Sequence, residues 1–110
     1  DWPSLREYLE THFADDLHLS GIADEFGVSE RTLSALISEN SGQSFPVLLN
    51  SIRCGAAKRL IAEHPDASLR SVAGWVGYRS ERTFFRQFKL VTGLRPSEFR
   101  RHVAPRGNRH

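Results

Sequence analysis

One tetrapeptide that carries an arginine occurs twice in this chain. Ser-Glu-Arg-Thr stands at residues 29–32 and again at residues 80–83. An arginine can donate two parallel hydrogen bonds to one planar acceptor group, and a serine at a helix start can accept from N–H groups that lack a helical partner. The repeat therefore indicates two helices that each begin with a serine cap and carry an arginine in the first turn, where it can bind a planar acceptor.

Catalytic and metal chemistry is not supported by the remaining polar residues. The five histidines are scattered without the spacing of metal ligands, and the single cysteine, Cys54, has no cysteine partner. The chain lacks a nucleophile elbow and a glycine-rich loop that could cradle phosphate. The sequence thus predicts no enzyme, no metal site and no cofactor. A lone cysteine also fits a reducing compartment.

Each copy of the tetrapeptide follows one short amphipathic helical pattern and begins a second. In both copies apolar residues recur at helical spacing, and a glycine, Gly27 or Gly77, then ends the first helix. The serine, Ser29 or Ser80, caps the second helix. We expect the second helices to bury apolar stripes at Leu33, Leu36 and Ile37 in the first copy, and at Phe84, Phe88 and Val91 in the second.

A short helix, a tight glycine turn and a second amphipathic helix predict a helix-turn-helix in each copy, over about residues 19–40 and 69–92. A plain antiparallel helical hairpin would use the same caps and stripes. The small residues Ala23 and Ala73 favour the helix-turn-helix, because its two helices must approach closely there. The repetition favours it further.

The segment between the two units predicts one long linker helix. Pro46 fits its first turn, and Pro65 disfavours continuation past His64. At about 1.5 Å per residue, roughly 18 residues give a rod of about 27 Å. We expect one apolar face on this helix, formed by Leu48, Ile52, Ala56, Leu60 and Ile61. No alternating pattern indicates a sheet, so the predicted fold class is all-α.

Charge is distributed very unevenly along the chain. Residues 1–50 hold nine acidic and two basic residues, a net of −7, whereas residues 51–110 hold thirteen basic and four acidic residues, a net of +9. The modest total of +2 hides this polarity. Affinity for nucleic acid comes largely from cations that neutralise phosphates, so the carboxy-terminal half is where such affinity is expected.

Three motifs resemble those of a known family. The chain reads S-L-x-x-V-A-x-x-V-G-Y at residues 68–78, F-x-R-x-F-K at 84–89 and G-x-x-P-S-E-F-R at 93–100, and residues 45–61 are similar to a linker helix. From about Leu17 to Arg101 the sequence resembles the DNA-binding domain of AraC/XylS-type bacterial transcription regulators. The resemblance implies about seven helices, recognition helices near residues 30–40 and 81–92, and promoter binding through adjacent major grooves.

The resemblance also implies which side chains would read DNA bases. Residues opposite the apolar stripes fall on the exposed faces of the recognition helices, where arginine can grip guanine O6 and N7. For Phe85, packing against a neighbouring lobe stays an open alternative to a base contact. A merely solvated face is the alternative for Arg86 and Lys89. The predicted base-reading residues are Arg31, Ser34, Ser38, Arg82, Phe85, Arg86 and Lys89.

Phosphate contacts are expected from helix starts and nearby basic or hydroxyl side chains. Ser68 occupies the usual cap position before the second unit, whereas the first unit departs from the pattern with His18. The predicted phosphate contacts are Ser29, Thr32, Ser68, Arg79, Ser80, Thr83, Arg95, Arg100 and Arg101.

These expectations divide the chain into a first lobe (1–42), the linker helix (43–65), a second lobe (66–103) and a basic tail (104–110). We expect the second lobe to anchor the domain on double-stranded DNA, because it holds most of the cations. The acidic first lobe could serve RNA polymerase or another protein partner. The alternative function is a degenerate helical protein-interaction module with little DNA binding, which a weak salt dependence would reveal.

The start of the sequence suggests a trimmed piece of a longer protein, whose expected location is the cytoplasm. The chain begins at Asp1 and contains no methionine, so we expect an amino-terminal sensor or dimerisation domain to be missing. No signal peptide and no apolar run long enough to cross a bilayer are recognised, so no membrane partner is predicted. Activation of transcription is the expected mode of regulation, with repression left open.

Overall fold

The computed structural model describes residues 1–104, and the predicted basic tail beyond Ala104 lies outside them. The described residues contain no strand and fold into seven helices, which confirms the all-α class and the expected helix number. The helices are α1 (Trp2–His12), α2 (Leu19–Phe26), α3 (Glu30–Ser41), α4 (Phe45–Glu63), α5 (Leu69–Trp75), α6 (Glu81–Thr92) and α7 (Pro96–Val103).

Both helix-turn-helix units form as their sequences predict. Gly27 and Gly77 take positive φ angles of 67° and 101°, which lets the chain reverse after α2 and after α5. The next residue in each turn donates its N–H back into the helix, Val28 to the Ala23 carbonyl at 3.0 Å and Tyr78 to the Ala73 carbonyl at 2.9 Å. The turns therefore repeat in geometry as well as in sequence.

The second helix of each unit starts at a serine cap. Ser29 Oγ accepts from the N–H of Thr32, and Ser80 Oγ accepts from the N–H of Thr83, each at 3.1 Å. These bonds satisfy one of the first-turn donors that a helix leaves without a partner. The repeated tetrapeptide thus fixes where both recognition helices begin.

Two separate hydrophobic cores hold the helices together. The first-lobe core joins α1, α2 and α3, and the second-lobe core joins α5 and α6 with the later part of α4. The first is formed by Leu5, Leu9, Ile22, Ala23, Leu33 and Ile37. The second is formed by Cys54, Ala56, Ala57, Ile61, Val72, Ala73, Val76, Tyr78, Phe84 and Phe88.

Helix α4 packs against both cores, the first with its early turns and the second with its later turns. Phe45, Leu48 and Ile52 pack on the first-lobe core, whereas Cys54, Ala57 and Ile61 lie in the second-lobe core. The predicted face exists: Ala56 and Leu60, which pack in the second-lobe core, continue the face of Leu48 and Ile52 at about 100° per residue. Ile61 lies instead with Cys54 and Ala57 on a second apolar side, which the expectation of a single face did not include, because α4 packs against two cores.

The predicted apolar stripe of α6 is also shorter than expected. Phe84 and Phe88 are completely buried, but Val91 is 42% exposed. Val91 lines a surface recess between α4 and α6 together with Val47 and Leu90. The prediction for Val91 was wrong because α6 has passed the second-lobe core by its last turn.

Candidate nucleic-acid interface

The outward face of α6 is rich in hydrogen-bond donors. Because Phe84 and Phe88 are fixed in the core, Arg82, Arg86 and Lys89 lie on the exposed side of the helix. Phe85 is 38% exposed, and its ring centroid lies 5.9 Å from that of Phe84. This face can offer two guanidinium forks, one ammonium group and an apolar ring to a partner.

The outward face of α3 is chemically poorer. Leu33 and Ile37 are buried, so Arg31, Ser34 and Ser38 lie on the exposed side. The Ser38 hydroxyl donates to the Ala35 carbonyl of its own helix at 3.2 Å. Arg31 is therefore the one cationic group among the predicted base readers of α3.

A recess of about 510 Å³ lies at the start of α6, and it brings basic and hydroxyl groups together. It is lined by Arg70, Arg79 and Ser80, with Glu81 adding a carboxylate at the same place. The N-terminus of a 12-residue helix adds partial positive charge there. Arg70 was not among the predicted contacts, although its place in the first turn of the helix after the Ser68 cap could have indicated it.

The structure brings several other predicted phosphate contacts to helix starts. Ser68 caps α5 by accepting from the N–H of Ser71 at 3.0 Å, whereas His18, its counterpart before α2, makes no side-chain cap bond. Thr32 and Thr83 each accept a hydrogen bond from the capping serine at 3.0 Å. The departure at His18 therefore leaves the first helix-turn-helix unit with one side-chain cap, at Ser29, where the second unit has two.

The arginines around α7 are engaged to different degrees. Arg101 is exposed, whereas Arg95 donates from its backbone N–H to Glu98 Oε1 at 2.9 Å and from Nε at 3.2 Å. These bonds lower the pKa of the Glu98 carboxyl, the backbone bond contributing most. Arg100 is half-buried and donates from Nη2 to the Ala67 carbonyl at 2.6 Å, so it braces α7 against the segment before α5.

Arg79 reaches across to the first lobe. Its Nη2 lies 3.0 Å from Asp16 Oδ2, and the other oxygen of Asp16 lies 3.3 Å from Nε2 of His18. Asp15 contacts His12 at 3.0 Å. Asp15 and Asp16 thus have partners within the molecule, and Asp16 holds Arg79, a predicted phosphate contact of the second lobe.

Comparison with known proteins agrees with this geometry. The family described as "Helix-turn-helix domain", of the AraC/XylS type, matches residues 22–102. The chain belongs to this AraC/XylS-type family. The family consists of DNA-binding regulator domains rather than enzymes, in agreement with the lack of catalytic motifs.

Solved structures share the AraC/XylS-type fold over almost the whole chain. The C-terminal domain of AraT, a response regulator from Geobacillus stearothermophilus, is 30% identical with a TM-score of 0.89, covering 99% of this chain and 92% of that one. The DNA-binding domain of AdpA, solved in complex with a target DNA, is 24% identical with a TM-score of 0.86, covering 97% and 96%. What this chain shares with AdpA is the fold.

Curated relatives of the AraC/XylS type are much longer than this chain. A transcriptional activator, RhaS of Escherichia coli O157:H7, is 30% identical over 96 residues, which is 87% of this chain but 34% of RhaS. An uncharacterized HTH-type regulator of Staphylococcus aureus is 35% identical over 94 residues, 86% of this chain and 12% of that protein.

Two further properties of this AraC/XylS-type domain concern residues 1–104. Within that range no cluster of three or more histidine, cysteine, aspartate or glutamate residues could hold a metal ion. None of the seven helices combines the length and the apolar character that crossing a membrane requires.

Proposed function

We propose that this chain is the sequence-specific DNA-binding domain of a cytoplasmic bacterial transcription regulator. In this proposal α3 and α6 enter successive major-groove segments of one promoter. The observation that carries it is the duplicated helix-turn-helix with an exposed polar face on each second helix. The body measures 56 × 23 × 21 Å, and one turn of the duplex advances about 34 Å, so a single copy is long enough to face two groove segments.

The second lobe is the dominant reader in this proposal. Arg82, Arg86 and Lys89 share the outward face of α6, whereas α3 presents Arg31 as its one cation among the predicted readers. A bidentate arginine–guanine contact contributes about 1–3 kcal/mol of discrimination. Hydroxyl groups such as those of Ser34 and Ser38 discriminate less, so the α3 part of the site should carry less sequence information.

Phosphate contacts would hold α6 in its groove. Ser80, Thr83, Arg79 and the newly found Arg70 surround the start of α6, where backbone N–H groups attract an anion. The Arg79 side chain is 86% exposed, and exposed ion pairs contribute about 0–1 kcal/mol, so a phosphate can replace Asp16 as its partner. Ser29, Thr32, Ser68, Arg95 and Arg101 are the other proposed contacts. Arg100 is the least suited, because its side chain already braces α7.

Selection of bound sites from a random DNA pool tests this function. We expect a motif of two parts, with more information in the part that α6 reads. The Arg86→Ala variant should then weaken binding to the selected site by about 1–3 kcal/mol, and Arg31→Ala should weaken it less. Arg6→Ala, which removes one exposed charge from α1, is the control. A larger loss from Arg31 would reverse the ranking of the lobes, and a pool without any enriched motif would refute DNA reading.

Transcription activation and partner binding are finer proposals. RhaS, one of the relatives, is named an activator, and the acidic first lobe offers a surface to RNA polymerase or to an amino-terminal sensor or dimerisation domain. Asp24 and Glu25 are exposed on α2, and neither is the partner of Arg79, which is Asp16. Reversing both charges should reduce activation without weakening DNA binding, since added positive charge does not repel DNA. Activation at the wild-type level would remove the acidic surface as a partner site.

A further inference from the structure

The loop between α1 and α2 lies in the first lobe by sequence but contacts the second lobe. Phe13 packs against the second-lobe core rather than the first. The backbone of Ala14 lies against Gly77, where an added Cβ would fall 3.0 Å from both Cα and the carbonyl oxygen of Ala14. Glycine at this turn therefore permits a close approach between the lobes, in addition to its positive φ.

Arg53, from the middle of α4, fastens this loop in place. Its Nε donates to the Phe13 carbonyl at 2.7 Å and its Nη2 donates to the Asp15 carbonyl at 2.9 Å. The carbon at the centre of its guanidinium lies 5.5 Å from the centroid of the Tyr78 ring. The Tyr78 hydroxyl in turn donates to Asn50 Oδ1 at 2.6 Å. One side chain thus joins the first-lobe loop, α4 and the second-lobe turn.

The charge of Arg53 strengthens this arrangement. Burial lowers the pKa of the Arg53 side chain, and Tyr78 and Asp16 oppose that change. Arginine nevertheless stays protonated in proteins, so both hydrogen bonds are charge-assisted. The rigid fork of the guanidinium places two separate nitrogens against the two carbonyls, whereas a lysine has one nitrogen at the end of a flexible chain and cannot reproduce this geometry.

We propose that Arg53 is a positioning residue that sets the distance and angle between the two reading helices. We call the loop of residues 13–16, Arg53 and Gly77 the interlobe clamp. Side-chain packing on α4 alone, at two places along that helix, would leave each lobe able to rock about it. The clamp adds a second point of attachment between the lobes, which removes this freedom.

The consequence for DNA rests on the function proposed above. When one lobe is bound, the other meets its half of the site at an effective concentration that geometry determines. A clamped pair of lobes should therefore bind tightly at one spacing of the two half-sites and poorly at others. A loosened pair should lose affinity at the best spacing and tolerate altered spacings better.

Arg53→Lys tests the proposal, because it keeps the charge and loses the fork. Arg59→Lys is the matched control: it makes the same chemical change on the exposed surface of the same helix. Affinity is measured for the selected two-part site, for each half alone, and for sites with one or two inserted base pairs. Arg53→Lys should weaken binding to the intact site about tenfold, bind single halves as wild type does, and lose less affinity on insertion.

Two results would overturn the positioning role. One is wild-type behaviour of Arg53→Lys on every site, and the other is an equal loss on single halves and on the two-part site. An equal loss would mean that Arg53 contacts phosphate or only supports the fold. If Arg53→Lys does not fold, Phe13→Ala loosens the same clamp from the loop side and should give the same spacing dependence.

A measurement without DNA separates this proposal from the proposed function. Residual dipolar couplings of the free wild-type domain should fit one alignment tensor for both lobes, and those of Arg53→Lys should need two. If the wild-type couplings need two tensors, the lobes move independently, and the clamp proposal is wrong whatever the domain binds. One tensor in a domain that selects no DNA would keep the clamp and refute the DNA-binding function.

Discussion

Gly27 and Gly77 occupy equivalent places in the two turns but have different surroundings. Gly27 has a φ of 67° and open space where a Cβ would stand. Gly77 has a φ of 101° and meets the backbone of Ala14. The same residue type therefore serves backbone conformation in the first turn, and conformation together with interlobe packing in the second.

Alanine substitutions should separate these two roles. Gly27→Ala should lower the free energy of unfolding by about 1–2 kcal/mol, the ordinary penalty for a left-handed backbone. Gly77→Ala should lower it by about 3–5 kcal/mol, because strain and overpacking add. Urea unfolding followed by circular dichroism measures both. Equal losses would show that the Ala14 backbone accommodates a methyl group at residue 77 without an overpacking cost.

Because the Tyr78 side chain is buried, we expect the domain to lose stability at alkaline pH. Burial and the neighbouring Cys54 raise the pKa of Tyr78 well above its ordinary value. The unfolded chain releases the phenol proton near pH 10, so this contribution is complete below about pH 10 and is lost as the pH rises further. Cys54, whose pKa burial also raises, acts in the same direction from a lower pH.

The Tyr78→Phe variant isolates the tyrosine contribution. At pH 8 the variant should have a free energy of unfolding about 1 kcal/mol lower than the wild type, because it lacks the hydrogen bond to Asn50. Between about pH 10 and 11.5 its stability should decline less than that of the wild type. Urea midpoints across this range give the comparison, with Tyr8→Phe in the first lobe as the control. An unchanged decline in Tyr78→Phe would assign the alkaline loss to other groups.

Residue-level prediction from the sequence succeeded where contacts are local. The exposure of Arg82, Arg86 and Lys89 follows from the period of a helix once Phe84 and Phe88 are taken as core. The role of Arg53 could not be predicted in this way, because its carbonyl partners lie 38 and 40 residues earlier in the chain. Nothing in the local pattern shows which loop a charged side chain will meet.

At the scale of elements, α2 is the one helix of the two helix-turn-helix units whose N-cap residue is not a serine. His18 makes no cap bond, while Ser68 does so before α5. The His18→Ser variant should therefore raise the free energy of unfolding by about 0.5–2 kcal/mol, and Ser68→Ala should lower it by a similar amount. Thermal unfolding measures both changes. A destabilised His18→Ser variant would mean that the contact of His18 with Asp16 outweighs a cap.

The linker helix shows which properties of an element the sequence can predict. Its ends at Phe45 and Glu63 follow from local chemistry, since Pro46 fits a first turn and Pro65 disfavours a longer helix. Its packing was not predicted, because a search for one apolar face assumes one core. The buried residues of α4 cover more than one face, because its early turns pack on the first-lobe core and its later turns on the second.

At the scale of the whole molecule, shape and charge work together. The body is 56 Å long, and the acidic first 50 residues and the basic remainder give it opposite net charges along the chain. A DNA duplex attracts the basic half and repels the acidic half at long range. We expect the second lobe to dock first and the first lobe to follow along the groove, at the spacing that the interlobe clamp allows.

Salt dependence tests the DNA-binding function and the unequal shares of the two halves in phosphate contact. A domain that neutralises about five phosphates should show a slope near −4.5 in a plot of log affinity against log salt concentration. Removing one contact with Arg101→Ala should make the slope shallower by about 0.9, whereas Arg6→Ala in the acidic half should leave it unchanged. Fluorescence anisotropy on the selected site gives these slopes. A flat response would favour the protein-interaction module. An equal effect of Arg6→Ala would show that both halves of the chain neutralise phosphate, because a cation releases a counterion only when it binds near the DNA backbone.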